Sequence, residues 1–449
     1  MPLSRRRLLA LAAGAPALTL AGADRPKRNM IALSTRPEDY EMPLDGFLEE
    51  ITPVDRFFVR SHHYTPDVDL KDWALEVTGS VEKPLKLSLD ELKKMPRAEL
   101  TAVLECAGNG RGFYEPSMPG LQWKYGAVGN ARWAGVRLAE VLKRAGVKPG
   151  AVEALFDGCD EPVGAMPKFQ RGVPLRKALD PNTILAYEMN GEPLPRSHGF
   201  PLRVVAAGWA GDCWMKWLKR IEVRDTEFDG FFMKTAYRHP GKAVAPGLAV
   251  DPAQMTPVTS LRVKSVIARV ENAAVGRRAE IRGAAWSGDA SPVAAVEVSV
   301  DAGRSWRPAR IVAGSGFGFR IWSFDWTPVR AAYYTVMARA RTASGETQPL
   351  AQEWNPSGYY WNVVHSVAVN LGSPVSAEPV PAPALEPPAG YRSACLICHD
   401  EAMMSGQRLN PAQWEREVDK MIRWGAPVKP EHREGIVRYL VTRFGPRKL

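Results

Sequence analysis

The chain has 449 residues, 45% of them apolar and 24% charged, the balance of a globular protein with core enough for two or three domains. A formal charge of +10 would suit a nucleic-acid binder. However, the lysines and arginines are scattered, and no basic run is interleaved with aromatics, so no nucleic-acid partner is expected. The excess reads as solubility and as steering of an anionic substrate or an acidic partner.

At the N-terminus, "SRRRLLALAAGAPALTLAGA" joins a basic front to a short apolar run and ends on the small residues Ala21, Gly22 and Ala23. That pattern predicts an export signal over residues 1–23, too short to stay in a bilayer. Arg5 and Arg6 fit its twin-arginine form. No later segment reaches spanning length, so a periplasmic protein with no membrane span is expected. Residues 24–50 read as an irregular lead-in.

From 51 to 250 strand-like runs alternate with short helices, predicting a mixed α+β domain. "WALEVTGSV" (73–81) reads as strand. Ser88 and Glu91 have capping-box spacing at the head of a helix, and "RLAEVLKRAG" (137–146) is amphipathic and stops on Gly146. From 255 to 371 short β-rich runs separated by turn residues predict an immunoglobulin-like β-sandwich. The proline-rich stretch 372–390 reads as a stiff tether. The fold class is therefore α+β, with a small all-α domain over 391–449. There Asn410 caps a helix carrying Trp414, Val418, Met421 and Ile422 on one face, and a second helix aligns Ile436, Leu440 and Phe444 before Gly445. So short a unit calls for a cofactor at its core.

Two stretches carry chemistry. "CLICH" (395–399) is the C-x-x-C-H pattern of c-type heme attachment: Cys395 and Cys398 form the thioether links and His399 becomes the proximal iron ligand. Met421, on the following helix, is the expected second ligand. A zinc site would need more ligands, and a redox dithiol would need a βαβ context. The other stretch is "LECAGNGRGFY" (104–114). Cys106 beside a glycine-rich loop could hold a metal, attack a carbon, or be a small apolar residue in a turn. Cys159 and Cys213 belong to no motif and read as buried free thiols.

A tethered one-electron carrier implies that the larger domain performs redox chemistry with its own cofactor. "FFVRSHH" (57–63), "ECAGNGR" (105–111), "GAVGNARWAGVRL" (126–138) and "LAYEMNGEPLPRSHGFPLRVVAAGW" (185–209), followed by "MKWLKRIEV", closely resemble the sulfite oxidase family of molybdenum enzymes over about residues 50–370. The resemblance implies a molybdenum–molybdopterin cofactor with Cys106 as the protein thiolate on the metal. It makes Arg60 and Arg111 substrate-side cations, as suits an oxyanion, and Tyr237 the active-site tyrosine. It gives the pyranopterin and its phosphate to Arg60, His62, His198, Arg203 and Lys216, and sets Asn109 and Trp123 in the pocket wall. It also makes the sandwich a dimerisation domain, hence a possible homodimer.

One departure stands out. Animal sulfite oxidases carry an arginine in a "WNxRG" segment, and "WNPSG" (354–358) has Ser357 there, so weaker anion binding or another cation such as Arg171 is implied. "GWAGDCWMKWLKRIEV" also resembles the sulfane dehydrogenase subunit of thiosulfate oxidation. The expected function is sulfite oxidation to sulfate, with electrons leaving through heme c to an external cytochrome c. Sulfane-sulfur oxidation and a non-catalytic electron-transfer role are the alternatives.

Overall fold

A computed structural model describes residues 24, 27–372 and 385–446. The expected export signal over 1–23 and most of the expected tether lie outside the described residues. Local signals set several elements. Ser88 and Glu91 form a reciprocal capping box on the helix Leu89–Lys93. The helix Leu138–Ala145 ends on Gly146, whose φ of +70° suits a residue without Cβ. Its Leu138, Val141, Leu142 and Ala145 are buried, the i, i+3, i+4, i+7 stripe that packs a helix on a sheet.

The first domain is built on two five-stranded sheets. One runs Glu192–Pro193, Thr183–Met189, Val128–Arg137, Arg97–Glu105, with Arg203–Ala206 also paired to Thr183–Met189. The other runs Leu85–Leu87, Leu75–Gly79, Leu218–Arg224, Glu153–Gly158, Gln170–Pro174. Leu75–Gly79 and Leu218–Arg224 are parallel, which requires the long crossover that carries the chain past the site.

The lead-in is not irregular. Ile31–Thr35 and Glu38–Glu41 form a hairpin, and the second strand pairs with Val59–Arg60. The partners Ser34 and Asp39 are fully buried, so polar residues that read as loop are in fact internal. Composition hid the strands because their buried positions are hydrogen-bonded rather than apolar.

The second domain packs two four-stranded sheets face to face. One is Lys264–Glu271, Ala279–Trp286, Arg320–Trp326, Arg310–Ala313, and the other Arg307–Pro308, Val293–Ser299, Tyr333–Thr342, His365–Asn370. Val296, Val298, Trp322, Phe324 and Val336 are among the residues of its separate core. The domains are joined through a buried carboxylate: Glu105, the last residue before Cys106, accepts hydrogen bonds from Lys264 Nζ, from Trp286 Nε1 at 2.8 Å and from Asn109 Nδ2 at 2.8 Å.

The C-terminal helices Pro411–Arg423 and Pro430–Phe444 close on Trp414, Val418, Ile436, Leu440 and Phe444, with Tyr391 and Met404. Asn410 caps the first of them, with Gln413 completing the capping box. This unit is docked on the first domain. Asp400 accepts from Thr35 N and Oγ1 at 2.5 and 2.6 Å, Arg36 Nη2 donates to Leu396 O at 2.6 Å, and Tyr64 Oη donates to Cys398 O at 2.8 Å. Ala165 N donates to Trp424 O at 3.0 Å on the other side.

Candidate active site

Loops at the ends of these strands surround a cleft lined by both charged and aromatic side chains. Cys106, Arg60, His62, His198, Arg203, Lys216 and Tyr237 all line it. Cys106 follows the strand Arg97–Glu105 and is tied by its own N–H to Ala127 O at 2.9 Å. Burial pushes its thiol pKa up, while the Arg60 cation, the amide of Gly108 and the more distant Arg111 oppose that push. A metal bound to the sulfur would displace the proton outright.

Arg60 owes its position to strand register: Asp39 stands opposite it, and Asp39 Oδ1 takes both Arg60 Nη1 at 3.3 Å and Ser61 N at 3.1 Å. Burial raises the Asp39 pKa to about 6 despite the Arg60 charge. The arginine side chain keeps 25% of its surface exposed, so its outer edge is available to an anion.

The far end is lined by cations that make no direct ion pair among the described residues. Arg203 donates only to backbone carbonyls, His198 O at 2.9 Å and Trp214 O at 3.1 Å, and lies against the rings of Trp133 and Trp214. Burial alone lowers its pKa to about 9, and its Nε has no partner. Lys216 Nζ reaches Ser61 Oγ at 2.9 Å and Ser197 O at 3.0 Å. Burial, then the Arg203 charge, brings its pKa to about 7. Among the described residues neither cation forms a salt bridge. Buried charges left uncompensated are costly, so this end is built for an anion. Asp160, 3% exposed, also lines the cleft with Oδ1 unpartnered, and would accept from N–H donors of a bound heterocycle.

Tyr237 closes the cysteine side. Its Oη lies 2.8 Å from His62 Nε2, its backbone has a φ of +56°, and its ring stacks on Tyr359 at 5.4 Å. A left-handed tyrosine persists only where its surroundings enforce it. His62 stacks on Phe169 at 4.0 Å, and burial with the Arg60 charge keeps it well below the usual histidine pKa, hence neutral.

Three residues placed at the pocket from sequence are elsewhere. Asn109 turns from the cleft, donating to Glu105 and accepting from Ala127 N at 3.1 Å; it fixes the loop. Trp123 is fully buried and does not line the cleft. Arg171 is 1% exposed and pairs with Asp212 at 2.7 Å behind the Tyr237 ring, so its charge is already neutralised. Arg111 is a partial correction. It does not line the cleft but lies over the Tyr359 ring at 5.1 Å, donating to Leu121 O at 3.2 Å and Ser357 O at 3.4 Å. The main chain of Ser357 thus holds a guanidinium where an arginine side chain was missing.

Asp39, Asp160, Ser61, Ser197 and Lys27 belong to the site and were not found from sequence. Only Ser61 and Ser197 carried a signal, since each neighbours a motif histidine. In the helical unit Cys395 ends the helix Tyr391–Cys395, and His399 Nδ1 lies 3.1 Å from Asp400 O. That bond leaves Nε2 for a metal. Met421 is half-buried and outside the cluster that includes Met404.

Residues 62–232 match the oxidoreductase molybdopterin binding domain and residues 255–372 the Mo-co oxidoreductase dimerisation domain. Mitochondrial sulfite oxidase of Mus musculus is 36% identical over 360 residues, and sulfite oxidase of Arabidopsis thaliana is 32% identical over 369, 75% of this chain and 92% of that one. The chain belongs to the sulfite oxidase family. It spans 65% of the length of the mouse relative, which aligns with 75% of this chain. The solved structure of the sulfane dehydrogenase SoxCD from Paracoccus pantotrophus superposes with a TM-score of 0.67 at 27% identity, covering 81% of this chain and 92% of that one. In a molybdopterin-binding fold, these cations and the unpartnered Asp160 oxygen fit a group with a phosphate and a hydrogen-bonding heterocycle. Cys106, beside Arg60, fits a soft metal next to an oxyanion.

Proposed function

We propose that this family member is an exported, periplasmic sulfite dehydrogenase that oxidises sulfite to sulfate and passes electrons through its own heme c to an external cytochrome c. The observation that carries the reading is the two-ended cleft: Cys106 beside the partly exposed Arg60 edge, and Arg203 and Lys216, in no salt bridge among the described residues, at the other end. When bound, the molybdenum supplies a transferable oxygen and takes the electron pair of the substrate sulfur.

The chain's own residues do the rest. Arg60 draws the anion in and orients it, with Asp39 fixing its direction. Neutral His62 holds the Tyr237 hydroxyl, which donates to substrate oxygen, while Phe169 and Tyr359 exclude water around it. In the helical unit, Cys395, Cys398 and His399 would anchor the heme, with Met421 as second iron ligand. The docking bond from Tyr64 to Cys398 O sets that anchor four residues from Arg60 along the chain.

A second reading, oxidation of sulfane sulfur, is favoured by Ser357, which offers no side-chain cation to a small dianion. Stopped-flow spectroscopy decides between them. Sulfite should reduce the heme of the pure protein, and Cys106→Ser should lose that reduction by at least about a hundredfold. Reduction by a sulfane-sulfur donor and not by sulfite would transfer the assignment to the second reading.

A further inference from the structure

The segment just beyond the expected export signal reaches the cofactor end of the cleft. Asp24 Oδ1 accepts from Ser197 N at 3.0 Å and Ser197 Oγ at 2.7 Å. Lys27 Nζ lies 2.9 Å from His198 Nε2, 3.2 Å from Val54 O and 3.4 Å from Phe57 O. Both therefore grip the single turn Arg196–His198 whose histidine lines the cleft.

An ammonium has three N–H donors and no acceptor. Those of Lys27 meet three acceptors, none a carboxylate, and among the described residues Lys27 forms no salt bridge. Because Lys27 can only donate, His198 Nε2 must accept, and the imidazole proton stays on Nδ1. The Phe57 ring, edge-on at 5.4 Å, fixes the imidazole plane. Burial, then the Lys27 charge, keeps His198 well below the usual histidine pKa, so it remains neutral in this tautomer.

We propose that Lys27 is a positioning residue for the molybdopterin: it locks His198 as an Nδ1–H donor and adds a positive charge, held in no salt bridge among the described residues, behind the anion-binding end of the cleft. The inference rests on the molybdopterin reading of that cleft. It makes Lys27, with Asp24 on the same turn, part of the cofactor site.

The groups facing Lys27 set its titration. Burial lowers its pKa to about 8, against the pull of Asp24, Glu38 and Asp55, and the neutral His198 imidazole faces it from the turn. A bound anion raises that value. Since the folded pKa is depressed, the charge is present below about 8 without an anion and is lost as pH rises.

The test measures pterin retained by the full-length protein, read as fluorescence of the oxidised pterin after timed dialysis between pH 6 and 10. Lys27→Met keeps the aliphatic stem and should release pterin about tenfold faster, the usual effect of removing a ligand's hydrogen-bond partner. Lys27→Arg should restore retention and remove part of the loss seen at high pH in the wild type, since arginine at this position does not titrate there while Lys216 and Arg203 still do. Circular dichroism and urea unfolding report whether each variant is folded. If folded Lys27→Met retains pterin as the wild type does, or Lys27→Arg keeps the wild-type pH profile, the proposal is wrong. Absence of pterin from the wild type would instead overturn the molybdopterin reading itself.

Discussion

Arg171 shows how a residue's chemistry is decided by what lies beside it. Its guanidinium stacks behind Tyr237 and is paired with Asp212, both nearly solvent-free. Burial raises Asp212 to about 6 even with Arg171 beside it. Arg171→Met should therefore leave a buried, unpaired carboxylate and cost about 3–5 kcal/mol of stability, measured by urea unfolding at pH 8. An Asp whose folded pKa is raised binds its proton more readily folded than unfolded, and loss of the Arg171 charge raises it further, so the penalty should shrink as the pH falls from 8 towards 6. An equal loss at pH 5 and pH 8 would mean that packing, not charge, is what Arg171 supplies. The sequence named Arg171 as a cation but gave no sign of its partner, because Asp212 is forty-one positions away and meets it only through the fold.

At the level of elements, the lead-in hairpin does three jobs. Its second strand sets Asp39 opposite Arg60, its first strand offers Thr35 to Asp400, and its turn offers Arg36 to Leu396. The Cys395–His399 turn is thus fastened to the same strands that aim Arg60. Breaking the contacts with Tyr64→Phe and Asp400→Asn together should slow sulfite-driven heme reduction by on the order of tenfold, the effect of about 1.4 kcal/mol in docking. Sulfite oxidation with ferricyanide taken directly from the first domain should be unchanged, and a fall in both rates would place the contacts in the fold rather than in electron transfer. The capped helices at Ser88 and Asn410 were legible because capping is local. The hairpin was not, because its register depends on Val59–Arg60, some twenty residues on.

Over the whole molecule, the charge of +10 surrounds a cleft whose own cations are only partly neutralised. Such a field raises the encounter rate of an anion and is screened by salt. We expect kcat/KM for sulfite to fall severalfold between 0.02 and 0.5 M ionic strength, with ionic strengths of roughly this span moving the Debye length through molecular dimensions, and kcat to stay nearly constant. A fall in kcat alone would place the salt effect on electron transfer instead. The sandwich, which matches the Mo-co oxidoreductase dimerisation domain, leaves Val329, Tyr333 and Leu350 at 84%, 66% and 62% exposure.

The sequence by itself determined what is written in adjacent residues: the family motif around Cys106 in its glycine loop, the two domain textures and the capped helices. Spacing and composition survive in one dimension, and so do local hydrogen bonds. Only the tertiary structure decided which way each side chain faces. It brought Asp160 to the cleft and set Lys27 and Asp39 against His198 and Arg60, which line it, and it turned Asn109, Trp123 and Arg171 away. Direction follows from strand register and from the need of each buried charge for a partner, and both are fixed by residues far apart along the chain.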